Sequence, residues 1–207
     1  MKKTRRAIFA EMNSTILDIL KSNNGIIQAS DARLAGFDNK VLQRMTEAGL
    51  LERVGYGLYI SASEMVDEFF VAKYRCRKGV FSHETALYFH GLSDRMPLQL
   101  MLTIPNGYNT PLLKDKSMYR FFYCKPDVHR IGIVTVKSPY GNELRAYDKE
   151  RTLCDCIKKK SMMDSDLVLS ALKQYVRESG ADFARLLSYA EIFKIQDIVK
   201  QYLEVLV

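Results

Sequence analysis

The chain has 207 residues, 47% hydrophobic and 27% charged, with 31 Lys/Arg against 24 Asp/Glu and a formal net charge of +7. This is the composition of an ordinary soluble protein, with room for one large domain or two small ones. No apolar stretch approaches membrane-spanning length, and the basic start Met1-Lys2-Lys3-Thr4-Arg5-Arg6 leads into a run broken by Glu11 and Asn13, which is not a signal-peptide pattern.

The charge is unevenly placed. Residues 1–60 hold nine Lys/Arg against six Asp/Glu, and residues 111–160 hold twelve against six. Two basic regions favour an anionic partner. Cys76, Cys124, Cys154 and Cys156 form no C-x-x-C pair and no paired His spacing, so no metal site is expected. Free thiols in a reducing cytoplasm are the natural setting.

In chain order, a first helix is predicted from about Thr4 to Lys21, with Ile8, Met12, Ile16, Ile19 and Leu20 on its apolar stripe. Ile26-Ile27 reads as a short apolar link. A second helix starts at Gln28 or Ser30 and stops at Gly36. Asp38 caps a third, because its side chain satisfies a free N–H of the first turn. Val41, Leu42, Met45 and Ala48 recur at helical spacing and face inward. Asn39, Lys40, Gln43 and Arg44 then share the outer face. Gly49 ends this helix, and Leu50–Val54 and Leu58–Ile60 pair as a hairpin about Gly55-Tyr56-Gly57. Helix, short helix, helix and hairpin is the connectivity of a winged helix-turn-helix. Arg and Lys suit guanine edges and phosphates, and Asn and Gln suit adenine. Asn39, Lys40, Gln43 and Arg44 are therefore the candidate base readers, with Arg53 and Tyr56 on the hairpin and Arg5, Arg6 and Arg33 as phosphate contacts.

Ser63 is predicted to cap a connector helix from Glu64 to about Arg77, which places the domain boundary between residues 78 and 79. Ser82 caps a helix from His83 to His90. His83-Glu84-Thr85-Ala86-Leu87 begins like H-E-x-x-H, but Leu87 stands where the second ligand is needed. His83 and His90 therefore read as packing or capping residues. Leu98–Ile104, Tyr119–Tyr123, Ile131–Val136 and Glu143–Tyr147 read as strands of a small, mainly antiparallel sheet. From Asp148, another cap, the chain is helical to its end. The fold class is thus α+β: a winged helix-turn-helix over residues 1–78, then a C-terminal domain over 79–207 with a sheet and a helical layer.

A second basic patch is read at Lys114, Lys116, Arg120, Arg145, Lys149, Lys158, Lys159 and Lys160. No G-x-G-x-x-G, phosphate-binding loop, G-x-S-x-G or paired metal carboxylates occur, so no catalytic residue and no cofactor is expected. The competing reading is a nuclease or transferase with a winged-helix targeting domain.

Three segments together resemble a known family: Gly49-Leu50-Leu51-Glu52-Arg53-Val54-Gly55-Tyr56-Gly57-Leu58-Tyr59, then Ser82 to Asp94 (SHETALYFHGLSD), then Tyr147 to Asp155 (YDKERTLCD). The chain resembles the AbiEi-type antitoxins of bacterial abortive-infection, type IV toxin–antitoxin systems. The resemblance implies a transcriptional autorepressor that binds inverted repeats in its own promoter as double-stranded DNA. It also implies an antitoxin domain that counters a nucleotidyltransferase-like toxin without a stable complex. No coiled-coil heptad announces a dimer, so a monomer that loads cooperatively on DNA is expected. Asp148 reads as a cap and Arg151 as a buried ion-pair or structural residue.

Overall fold

The structure is a computed structural model that describes residues 15–63 and 65–206. The chain divides into two compact units. The first ends at Val71 and also includes Pro139–Asn142; the second takes the remainder from Ala72 onward. The division falls inside one helix, Glu68–Arg75, whereas the sequence reading assigns that whole helix to the first domain. Among the described residues no helix is long and apolar enough to cross a membrane.

In the first unit, helix α1 (15–22), strand β1 (Ile26–Gln28), helices α2 (Ala29–Leu34) and α3 (Asn39–Glu47), and strands β2 (Leu51–Gly55) and β3 (Leu58–Ser61) follow in order. The strands form an antiparallel sheet in the order β1-β3-β2. β1 is the Ile26-Ile27 link of the sequence reading: three residues are too few to show a period, and pairing with β3 makes them a strand. The β2–β3 turn has two residues, Tyr56-Gly57, because Gly55 pairs with Leu58; Val54 is the extra residue of a bulge. Ile16, Leu20, Ile27, Phe37, Leu42 and Met45 meet in one apolar core. Of the residues that the helical period turns inward, Val41, Leu42 and Met45 are buried, but Ala48, at the end of the helix, is exposed, because the chain leaves the core there. Within this unit Asn142 donates to Asp67 Oδ2 at 2.7 Å and accepts from Asn24 at 3.3 Å.

The connector, α4 (Glu68–Arg75), starts later than the sequence reading places it. Its first turn is capped by Asp67, whose carboxylate accepts the Phe70 N–H at 3.1 Å, not by Ser63. Ser63 spends its hydroxyl on Ser61 Oγ at 2.8 Å, and Asp67, four residues on, marks the start.

In the second unit, β4 (Val80–Phe81), α5 (His83–Phe89), β5 (Leu100–Pro105), β6 (Tyr119–Cys124), α6 (Pro126–His129), β7 (Ile133–Lys137) and β8 (Glu143–Tyr147) precede α7 (Lys149–Lys158), α8 (Ser165–Val176), α9 (Phe183–Ile192) and α10 (Gln196–Leu206). The five strands run β6-β5-β4-β8-β7. The expectation of a mainly antiparallel sheet is corrected: β4–β5 and β7–β8 are antiparallel, but β5–β6 and β4–β8 are parallel, so the sheet is mixed. The segment between Pro105 and Tyr119 is long enough for the crossover that parallel neighbours require. It contains a 3₁₀ turn at Pro111–Lys114 that no periodic pattern announces. Helices α5, α7, α8, α9 and α10 pack around a core of Leu87, Leu153, Ile157, Leu172, Leu186 and Val199.

The polar residues of α5 and α7 tie this unit together. Thr103 donates to Ser82 Oγ at 2.9 Å, and His83 Nδ1 lies 2.9 Å from the same oxygen. The His83 ring stacks on Phe122 with centroids 3.6 Å apart. Thr85 accepts the Met101 N–H at 2.8 Å, and His90 Nε2 donates to the Tyr147 carbonyl at 2.6 Å. Asp148 caps α7 through the Arg151 N–H at 2.8 Å, and its second oxygen accepts from Tyr189 at 2.9 Å. The Arg151 guanidinium is buried, lies 3.0 Å from Asp155, and donates to the carbonyls of Val128 and Ile131 at 2.8 and 3.2 Å. Its charge sits over two rings, Tyr147 at 4.1 Å and Phe193 at 4.3 Å. Gly132, at φ +73°, passes so close that an added Cβ would lie 3.0 Å from the Arg151 Cβ.

Removing one partner of such a pair leaves the other charge buried. Arg151→Met is expected to cost about 3–5 kcal/mol in urea unfolding, and Arg151→Met with Asp155→Leu to recover part of it; a loss under about 1 kcal/mol in the single variant would refute this account.

Burial lowers all three histidines, with His83 falling to about 3. Unfolded, His83 titrates near 6.5, so between these values only the unfolded chain takes the proton. Its contribution is fully present above about pH 6.5 and is lost as pH falls toward 3, by about 2 kcal/mol at pH 5. Comparing urea midpoints at pH 7.5 and pH 5 should show a smaller acid loss in His83→Asn than in the parent chain. Equal losses would rule His83 out as the cause.

Candidate nucleic-acid interface

Helix α3 is built to show one polar face. Asp38 caps it through the Lys40 N–H at 3.4 Å. Gly49, at φ +71°, lets the chain leave it, with the Leu50 N–H returning to the Met45 carbonyl at 2.9 Å. Val41, Leu42 and Met45 are buried, and Asn39, Lys40, Gln43 and Arg44 are all exposed. Gln43 donates to Glu47 at 3.1 Å along the helix. Among the described residues neither Lys40 nor Arg44 enters an ion pair.

Two more predicted residues, Arg53 and Tyr56, lie on the hairpin. Tyr56 at its tip is 89% exposed. The Arg53 guanidinium lies 5.8 Å from the Tyr56 ring centroid and donates to the Gly55 carbonyl at 3.2 Å. Arg33 is exposed on α2 and donates to Ala29 O at 3.2 Å, next to Leu34, which is 89% exposed. Arg5 and Arg6 lie outside the described residues.

The second basic region is less available. Arg145 is half-buried, its guanidinium donating to the carbonyls of Arg77 and Gly79. Lys149 pairs with Glu178 at 2.6 Å, and Arg120 donates to the Met162 carbonyl at 3.1 Å. Lys158 lies over the Phe193 ring at 5.3 Å. Lys114, Lys116, Lys159 and Lys160 are exposed. The four cysteines are unpaired.

Lys78, Tyr108 and Arg130, which the sequence reading passes over, line a cleft in the second unit together with Arg145. The signal available in sequence was Asn106-Gly107-Tyr108-Asn109, a polar loop with one aromatic directly after a buried strand.

No protein-family model matches the chain, and no curated protein matches it. The fold, however, has a solved counterpart. The crystal structure of the RV2827C protein from Mycobacterium tuberculosis resembles it with a TM-score of 0.63 over 87% of this chain and 71% of that one, at 12% identity. At that identity the likeness shows the α+β fold alone.

If the outer face of α3 serves recognition and not packing, alanine at Lys40, Gln43 or Arg44 should change stability by less than about 0.5 kcal/mol. Met45→Ala should cost about 2–5 kcal/mol. Urea midpoints of the four variants check this, and a large loss at Lys40 or Arg44 would mark them as structural.

Proposed function

We propose that the chain is a sequence-specific binder of double-stranded DNA whose first unit works as a winged helix-turn-helix. The observation that carries this reading is the exposed set Asn39, Lys40, Gln43 and Arg44 on the side of α3 opposite its buried residues, with both cations free of ion pairs among the described residues. In this reading α3 enters the major groove, α2 crosses the backbone, and the β2–β3 hairpin is the wing. Lys40 and Arg44 meet guanine edges, and Asn39 and Gln43 suit adenine. Arg53, Tyr56 and Arg33 approach phosphates, which set affinity and make it fall with salt.

The resemblance to AbiEi-type antitoxins supports a narrower form. The protein is then a cytoplasmic autorepressor of its own operon, loading cooperatively as monomers onto inverted repeats. Its second unit counters a nucleotidyltransferase-like toxin without a stable complex and without enzymatic activity of its own.

The test is a binding titration against the DNA upstream of the gene, beside an unrelated duplex, over a salt series. Tight, stepwise binding to the upstream DNA alone is expected. Lys40→Ala with Arg44→Ala should lower that specific affinity by at least about tenfold, since each bidentate base contact is worth about 1–3 kcal/mol. Arg53→Ala should weaken both duplexes alike and reduce the salt slope by about 1. Unchanged operator affinity in the double variant would remove the reading.

A further inference from the structure

Beside the loop after β5, the second unit holds a cleft of about 540 Å³, within the roughly 300–1,000 Å³ of small-ligand sites. Three cations line it: Lys78 ahead of β4, Arg130 at the end of α6, and Arg145 on β8. Among the described residues no acidic residue lines it. Lys78 and Arg130 are exposed, and among the described residues neither enters an ion pair. Arg145 is held in place by the Arg77 and Gly79 carbonyls, so its planar donor fork is oriented before any ligand arrives. Like charges gathered around one hollow without a counter-charge repel each other, and an anion relieves that repulsion.

The rest of the lining is not simply polar. Tyr108 is half-buried, with its N–H tied to the Pro105 carbonyl at 3.0 Å and the Lys78 ammonium 5.5 Å from its ring centroid. Asn106 and Asn109 flank it, both exposed. An aromatic ring offers a face on which any base stacks, and side-chain amides match the donor–acceptor edges of bases.

We propose that this cleft binds a nucleoside phosphate, with its phosphates held by Lys78, Arg130 and Arg145 and its base laid against Tyr108. The site is separate from the α3 surface and does not depend on DNA binding there. A free nucleotide and the phosphorylated end of a nucleic-acid strand present the same chemistry.

Calorimetric titrations of the full chain at low salt with ATP, tripolyphosphate and a 5′-phosphorylated trinucleotide test the proposal. Sub-millimolar binding of ATP or the trinucleotide is expected, and whichever binds tighter identifies the source. Lys78→Ala with Arg130→Ala should weaken the better ligand by about tenfold or more while leaving the thermal midpoint unchanged; both side chains are exposed, and each single variant serves if the pair unfolds. Tyr108→Ala should weaken ATP by about tenfold and leave tripolyphosphate unaffected. No heat with either nucleotide at millimolar concentration, or equal affinity in the Lys78/Arg130 variant, overturns the site. Equal binding of tripolyphosphate and ATP, with no effect of Tyr108→Ala, overturns the nucleoside part.

Discussion

The burial of the Arg151 guanidinium is the constraint on which the second unit depends. A charge taken out of water is tolerable only when it is paired and hydrogen-bonded, and the partners of Arg151 come from four segments of the chain. Asp155 lies one turn along α7, the Val128 and Ile131 carbonyls flank the end of α6, and the two rings are Tyr147 at the end of β8 and Phe193 after α9. Burial pushes the Asp155 carboxyl up, and the adjacent Arg151 charge opposes that shift. Such a group therefore fixes several segments at once: a small displacement of any one leaves a donor or a charge unsatisfied. Gly132 has no side chain because the chain must pass against this cluster.

The same physics accounts for the polar residues of Ser82–Asp94 and Tyr147–Asp155. Ser82, His83, Thr85, His90, Asp148, Arg151 and Asp155 all belong to the resembling segments, and all spend their polar atoms on contacts within the second unit. Their types follow from satisfying buried backbone and side-chain groups. Residues so committed hold the fold, and a binding function must be sought on side chains left exposed.

Much of the local structure was legible because it rests on local rules. The caps at Asp38 and Asp148 and the inward face of α3 follow from spacing and short-range hydrogen bonding. Arg151 is the buried ion-pair residue its place in the sequence suggests, although its ring partners Tyr147 and Phe193 are far apart in sequence. What the sequence hid is non-local. β1 exists only because β3 offers it a ladder, and the parallel pairing of β5 with β6 depends on the path of the connecting segment. For the cleft, Lys78, Tyr108, Arg130 and Arg145 come from four separate segments, and no one-dimensional pattern brings them together.

Availability, more than the number of cations, decides which basic surface of a protein can take an anion. Residues 111–160 carry the larger excess of charge, yet Lys149 and Arg151 there are committed to the carboxylates of Glu178 and Asp155. A cation already paired has given up most of its field and must be unpaired before it binds, so it adds little affinity. Helix α3 has fewer cations, but Lys40 and Arg44 stand exposed on a helix whose opposite face is locked into a core. Their backbone is thus held at little further entropic cost on binding. The outer face of α3, in the region with the smaller net charge, therefore presents its cations better organised than residues 111–160 do.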